Sequence, residues 1–197
     1  MLNKIRRVFE LFFFFLLLFY PLITWWALSH SDNITLVASI LMAIMSMRFM
    51  TMKTRRDSIL TMLPFILSAL FLSVSALTND KTWMLWQPAM INLAMLFAFA
   101  MSMRHPPCVA ERLARLREPN LPPEAALYCR KVTRAWCHFF FANGCVAALS
   151  VYQEPAVWAL YNGCIAYILI GLMFTVEFFI RRRVKARIAA KQVQGQF

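Results

Sequence analysis

Three asparagines sit where a polar side chain is costly. Asn92, Asn143 and Asn162 are embedded in long apolar runs, where a carboxamide either bonds to a neighbouring helix or lines a polar site for a ligand or ion. Asn143 and Asn162 lie about ten and eight residues from the turn at Gln153 and Glu154, on opposite arms of one hairpin. Asn92 lies about ten residues inward of its own turn. At about 1.5 Å of rise per residue, the three share one depth. Asn143 and Asn162 each precede a glycine, Gly144 and Gly163, which permits close helix approach. Interhelical hydrogen bonding is the first expectation for this cluster and a ligand site the second.

The other reactive residue types are arranged less productively. Glu177 lies four residues before Arg181, the spacing of a structural ion pair on a helix. Cys137 beside His138 has the composition of a nucleophile and its base, but adjacent helical residues do not face each other. His105 with Glu111, Glu118 and Glu124 could serve acid–base chemistry, yet no nucleophile motif, phosphate loop or zinc signature accompanies them. The 5 cysteines, irregularly spaced, give neither a disulfide framework nor a metal-binding pair and read as small apolar packers. No catalytic residue, metal or cofactor is expected, and an enzymatic role is left open without being indicated.

The elements that hold these residues are long and apolar. Hydrophobic residues make up 61% of the 197, and mean hydropathy is +0.59, well above a soluble domain of this size. Windows long enough to cross about 30 Å of hydrocarbon fall at 8–29, 34–50, 59–78, 84–103, 133–152 and 156–180. The expected fold is all-α and polytopic, six transmembrane helices as three hairpins in one membrane domain over 1–184, with a basic tail at 185–197. The three similar hairpins could descend from a repeat, although short loops alone produce the same pattern. The basic amino end and its apolar run resemble a signal peptide, but the run is too long and further spans follow, so an uncleaved signal anchor is expected.

Of the 21 Lys and Arg, all but Lys81 fall at the termini or in the second and fourth links. This is the positive-inside pattern, and it places both termini in the cytoplasm. The net charge of +12 is therefore a topology signal with some attraction to anionic headgroups, not a nucleic-acid footprint. Trp25, Trp26, Trp83, Trp86 and Trp158 fall at outer span ends and Trp136 at an inner one, the places of an aromatic belt. The outer loops are short and carry one acid each, Asp32, Asp80 or Glu154.

The fourth link, 104–132, is the one substantial cytoplasmic surface. Pro106 and Pro107 suit a helix end and restart. Val109, Leu113 and Leu116 recur at helical spacing with Glu111, Arg112, Arg115 and Arg117 on the polar side, the pattern of a short interfacial amphipathic helix. Pro119 ends it. Pro122, Pro123 and Glu124 then open a helix that runs into the fifth span, with Arg130, Lys131 and Arg134 reaching for phosphates. The expected contact surface comprises His105, Val109, Arg112, Leu113, Arg115, Leu116, Glu118, Pro122, Glu124, Arg130 and Lys131, with a plain solvated loop as the alternative.

Two stretches carry a family resemblance: "ERLARLREPNLPPEAALYCRKVTRAWCHFFFANG" (111–144) and "WALYNGCIAYILIGLMFTVEFFIRRRV" (158–184). Together they resemble bacterial inner-membrane proteins associated with aryl-polyene and fatty-acid-synthesis-like gene clusters. A fainter likeness, carried by His105-Pro106, Leu121-Pro122, Trp136, Phe139, Phe140 and Gly144, is to the intracellular septation protein A family. The first resemblance implies an accessory component near machinery that makes or exports acyl chains in the cell envelope, and transfers no catalytic residue. The leading expectation is a non-enzymatic inner-membrane scaffold whose partners are membrane lipids and acyl-chain or envelope-synthesis enzymes, with a homo-oligomer allowed. The alternatives are a lipid or acyl-product carrier built on Asn92, Asn143 and Asn162, and an interfacial acyl-transfer enzyme using His105 and the loop acids.

Overall fold

The computed structural model describes residues 59–116 and 118–194. The expected spans at 8–29 and 34–50, the signal anchor, Trp25, Trp26, Asp32 and Arg117 lie outside the described residues. Among the described residues all regular structure is helical: α1 (Ile59–Thr78), α2 (Thr82–Arg104), α3 (Val109–Arg115), α4 (Pro123–Ser150), α5 (Pro155–Leu160), a π-helical turn (Tyr161–Ile165) and α6 (Ala166–Gln194). Two helices among the described residues are long and apolar enough to cross a membrane, Thr82–Arg104 and the continuous rod Pro155–Ile188. Helix α4 is longer than α2 but more polar, since Arg134, His138 and Asn143 interrupt its apolar run.

The turns follow from their residues. Asn79 ends α1 in the left-handed region with φ 50°, a conformation asparagine tolerates better than most residues. Asp80 Oδ1 then accepts the Thr82 N–H at 2.9 Å, satisfying a donor that the start of α2 would otherwise leave open. The Ser75 hydroxyl donates to the Asp80 carbonyl at 2.8 Å. Bonds from Thr82 also hold the Asp80 carboxyl below its ordinary range. Pro123 opens α4 and Pro155 opens α5, each in the first turn where a missing N–H costs nothing. Helix α6 does not stop at the basic cluster but carries Arg181, Arg182, Arg183, Lys185 and Arg187 onward in helical conformation.

The chain divides into two compact units. In the first, described over 59–92 and 143–167, the core holds Leu72, Met84, Ala89, Ala147, Trp158 and Ala159. Trp158 is 1% exposed, and its indole N–H donates to the Leu85 carbonyl at 3.0 Å. Trp158, expected in an aromatic belt, is therefore turned inward as an interhelical anchor and does not face outward. A methyl group added at Gly144 would stand 3.1 Å from Asn92 Cβ, so α2 and α4 touch closely where the glycine leaves room.

In the second unit, described over 93–142 and 168–194, Trp136 is likewise buried. Its ring lies 4.9 Å from that of Phe174 and 5.5 Å from that of Phe140, and Phe99 meets Phe140 edge-on at 5.1 Å. One aromatic cluster thus ties α2, α4 and α6 together. Trp136 is turned into this cluster and not outward.

The close contact at Gly144 sets an expected outcome. Gly144→Leu overpacks α2 against α4 and lowers the thermal midpoint in detergent by the equivalent of about 1–3 kcal/mol. Gly171→Ala, where an added methyl meets nothing within 4 Å, leaves the midpoint unchanged or slightly raised. Thermal unfolding followed by circular dichroism checks both.

Candidate functional site

The first unit contains a polar network inside its apolar core. Asn143 on α4 donates through Nδ2 to Asn92 Oδ1 on α2 at 3.0 Å. Asn92 Nδ2 donates to the Pro88 carbonyl of its own helix at 2.9 Å. The Tyr161 hydroxyl closes the chain by donating to Asn143 Oδ1 at 2.8 Å. Asn162 turns elsewhere, donating to Ser150 Oγ at 3.0 Å and the Trp158 carbonyl at 2.9 Å. Of the three sequence-selected amides, Asn92 and Asn143 are joined directly and Asn162 serves a second, neighbouring chain.

The π turn makes this arrangement possible. Tyr161 and Asn162 are consecutive, yet both bond to α4, at Asn143 and Ser150. Consecutive residues of a regular α-helix point about 100° apart, whereas the widened turn at Tyr161–Ile165 lets both reach one neighbour. Asn162 also takes up the Trp158 carbonyl, a side-chain insertion of the kind that interrupts the regular ladder. Tyr161 and Ser150 were not selected from the sequence. The available signal was two further hydroxyls flanking the same turn.

The second unit fixes the link. Helix α3 begins after Cys108, which makes no side-chain cap bond, and its first donors are satisfied from a distance. Ser102 Oγ accepts the Val109 N–H at 3.2 Å, and Thr133 Oγ1 accepts the Ala110 N–H at 3.3 Å. Two hydroxyls on α2 and α4 thus replace a local cap. Arg112 Nε donates to the Pro107 carbonyl at 2.8 Å. Arg115 pairs with Glu111 at 2.8 Å and also reaches the Pro119 carbonyl at 3.2 Å. Glu118 pairs with Lys185 of α6.

The expected contact residues divide by exposure. Val109 is buried and so withdrawn from the surface, while Leu113 is 62% and Leu116 75% exposed. His105, Arg112, Arg115, Glu118, Glu124, Arg130 and Lys131 are exposed, and Pro122 is half-buried. The expected ion pair Glu177–Arg181 has Arg181 Nε 3.5 Å from Glu177 Oε1. The Tyr128 hydroxyl donates to the same carboxylate at 3.4 Å. Burial, with the Glu177 charge second, pushes Tyr128 up to about 12. Burial likewise pushes the Cys129 thiol up to about 11, so it is a poor nucleophile at neutral pH. Among the described residues no three His, Cys, Asp or Glu side chains are grouped to hold a metal ion.

Comparison with models of known protein families, with curated proteins and with solved structures finds no match to this chain. Among the described residues neither unit brings an activated nucleophile together with a base. What the residues make is a satisfied amide network in one unit and a pinned, basic, leucine-bearing link in the other.

Two outcomes follow from these contacts. A double-mutant cycle on Asn92→Ala and Asn143→Ala gives a coupling of about 0.6 kcal/mol, and not above about 2 kcal/mol, by thermal or denaturant unfolding in detergent. The second concerns alkali. With a folded pKa raised to about 12 against about 10 when unfolded, the folded state keeps the Tyr128 proton that the unfolded state has lost. The stability Tyr128 contributes is complete below about pH 10 and disappears as pH rises towards 12. Tyr128→Phe removes that alkaline dependence, and stability measured from pH 9 to 12 checks it.

Proposed function

We propose that this chain is a multi-pass protein of a bacterial inner membrane, six spans in three hairpins with both termini cytoplasmic. It acts as a non-enzymatic scaffold or accessory component of envelope-lipid or acyl-chain assembly. Support for membrane residence comes from the rod Pro155–Ile188, of whose most apolar window only 6% is buried within the protein. Ile168, Leu172, Phe174, Val176, Phe178 and Phe179 all stand exposed along it. A water-soluble fold does not leave so continuous an apolar surface open, and hydrocarbon is the solvent that matches it.

The observation that carries the scaffold reading is the link. Its backbone is bound to α2 through Ser102 and to α4 through Thr133, while Leu113 and Leu116 project outward among basic side chains. A surface held rigid and left apolar is suited to docking. The closed amide network supports a structural role for Asn92 and Asn143 over the carrier alternative, because protein partners already engage both groups of Asn143. The acyl-chain and aryl-polyene context rests on the resemblance of residues 111–144 and 158–184 alone.

Crosslinking of intact membranes followed by co-purification tests the reading. The full-length chain is expected to recover envelope or acyl-chain enzymes. Leu113→Asp with Leu116→Asp is expected to lower that recovery about tenfold, while the amount of protein in the membrane stays the same. Undiminished recovery by the double variant would remove the link from the function.

A further inference from the structure

The second unit contains a cleft of about 350 Å³ at the join of α2, α3 and α4, lined by Met103, Pro106, Cys108, Ala126, Leu127 and Arg130 among others. We infer that this cleft holds one acyl chain of an anionic phospholipid, with the headgroup phosphate on the Arg130 guanidinium. The inference rests on the membrane reading above and adds to it a specific lipid site.

Charge, apolar lining and position each favour that occupant. Arg130 is exposed, and among the described residues no carboxylate pairs with it. The acid on the cleft wall, Glu111, accepts two hydrogen bonds from Arg115, at 3.0 and 2.8 Å, and its charge is neutralised there. The cleft edge is thus net cationic, and guanidinium matches phosphate geometry. The rest of the wall is mostly apolar, and its volume lies at the small end of ligand pockets, about 300–1,000 Å³. That is room for part of a hydrocarbon chain and not for a whole lipid, and the apolar wall disfavours a polar metabolite.

Position is the third consideration. Met103 is one residue from the end of α2, a helix whose 23 residues rise about 35 Å, close to the thickness of a bilayer core. The cleft therefore opens at the level where acyl chains meet phosphates. Leu127, on the cleft wall and more than half exposed, gains a hydrocarbon environment at that depth. An acidic protein would satisfy Arg130 but would leave the apolar wall of the cleft without a partner.

Native mass spectrometry of the full-length protein in mild detergent, with equal phosphatidylglycerol and phosphatidylcholine added, tests the site. The wild type is expected to retain one phosphatidylglycerol in preference to phosphatidylcholine. Arg130→Gln lowers that retention about fivefold, the effect of one basic side chain near an anionic surface, and Arg130→Lys restores most of it. Ala126→Phe fills the cleft and lowers retention of both lipids. Equal phosphatidylglycerol retention by wild type, Arg130→Gln and Ala126→Phe overturns the site. So does an Arg130→Gln variant that loses a crosslinked acidic protein while its lipid retention is unchanged. Should Ala126→Phe fail to fold, the exposed Arg130 pair decides alone. Alkaline extraction of membranes separates the two levels of inference. Protein that stays in the membrane but shows no lipid preference sinks only the cleft, whereas protein released to the supernatant sinks the membrane reading.

Discussion

A carboxamide buried among apolar helices must find its hydrogen-bond partners within those helices, and the first unit is arranged around that requirement. Leaving such a group unpaired costs about 1–3 kcal/mol, so the positions of Asn92 and Asn143 constrain each other. Their bond is 3.0 Å long and occurs where Gly144 lets α2 and α4 approach. Tyr161 then has to reach Asn143 Oδ1, which fixes the rotation of the rod that begins at Pro155. Trp158 adds an indole bond to the Leu85 carbonyl one turn earlier. Few alternative registers of α2, α4 and α5 satisfy all of these donors together, so the polar bonds specify the packing that apolar contacts alone would leave degenerate.

The second unit meets the same requirement at a helix end. Helix α3 has only 7 residues, too short to be stable alone, and its preceding residue, Cys108, is a poor cap. The donors at Val109 and Ala110 go instead to Ser102 and Thr133. This ties α3 to two longer helices and buries Val109. Leu113 and Leu116 continue the stripe that Val109 begins, yet further from the capped end they stay exposed. Their exposure gives the link its outward apolar character.

Local signals in the sequence were informative, and long-range ones were not. The "TNDK" turn, the start of α4 at Pro123 and the continuous run of α4 to Ser150 follow from residues within a few positions of each element. Counting inward from turns placed Asn92 and Asn143 at one depth, because a helix converts residue number into distance directly. The same count could not separate Asn162 from them, since the π turn changes which neighbour a side chain meets. Trp158 and Trp136 illustrate a second limit. A tryptophan near a helix end has the same sequence context whether it faces headgroups or a neighbouring helix, and what decides is an acceptor 73 residues away or a phenylalanine on another helix. Ser102 and Thr133 carry no capping motif, because the donors they satisfy are distant in sequence.

Helix α6 relates these two polar arrangements to the proposed setting. Its apolar section is left open to the surroundings, and beyond Ile180 it continues without a break into a strongly basic section. A basic extension that merely marked topology could be irregular. Here it remains helical, Arg182 stacks 5.7 Å from the Phe178 ring, and Lys185 pairs with Glu118 of the link. An exposed pair of this kind contributes at most about 1 kcal/mol, too little to hold the link, which its backbone bonds already fix. Its effect is on charge: it neutralises one acid of the link that also carries the exposed cations Arg130 and Lys131, as Arg115 neutralises Glu111. With two acids so engaged, the link and the end of α6 present a more uniformly cationic face with leucines set into it, and such a face fits an anionic, partly apolar counterpart better than a neutral or purely polar one.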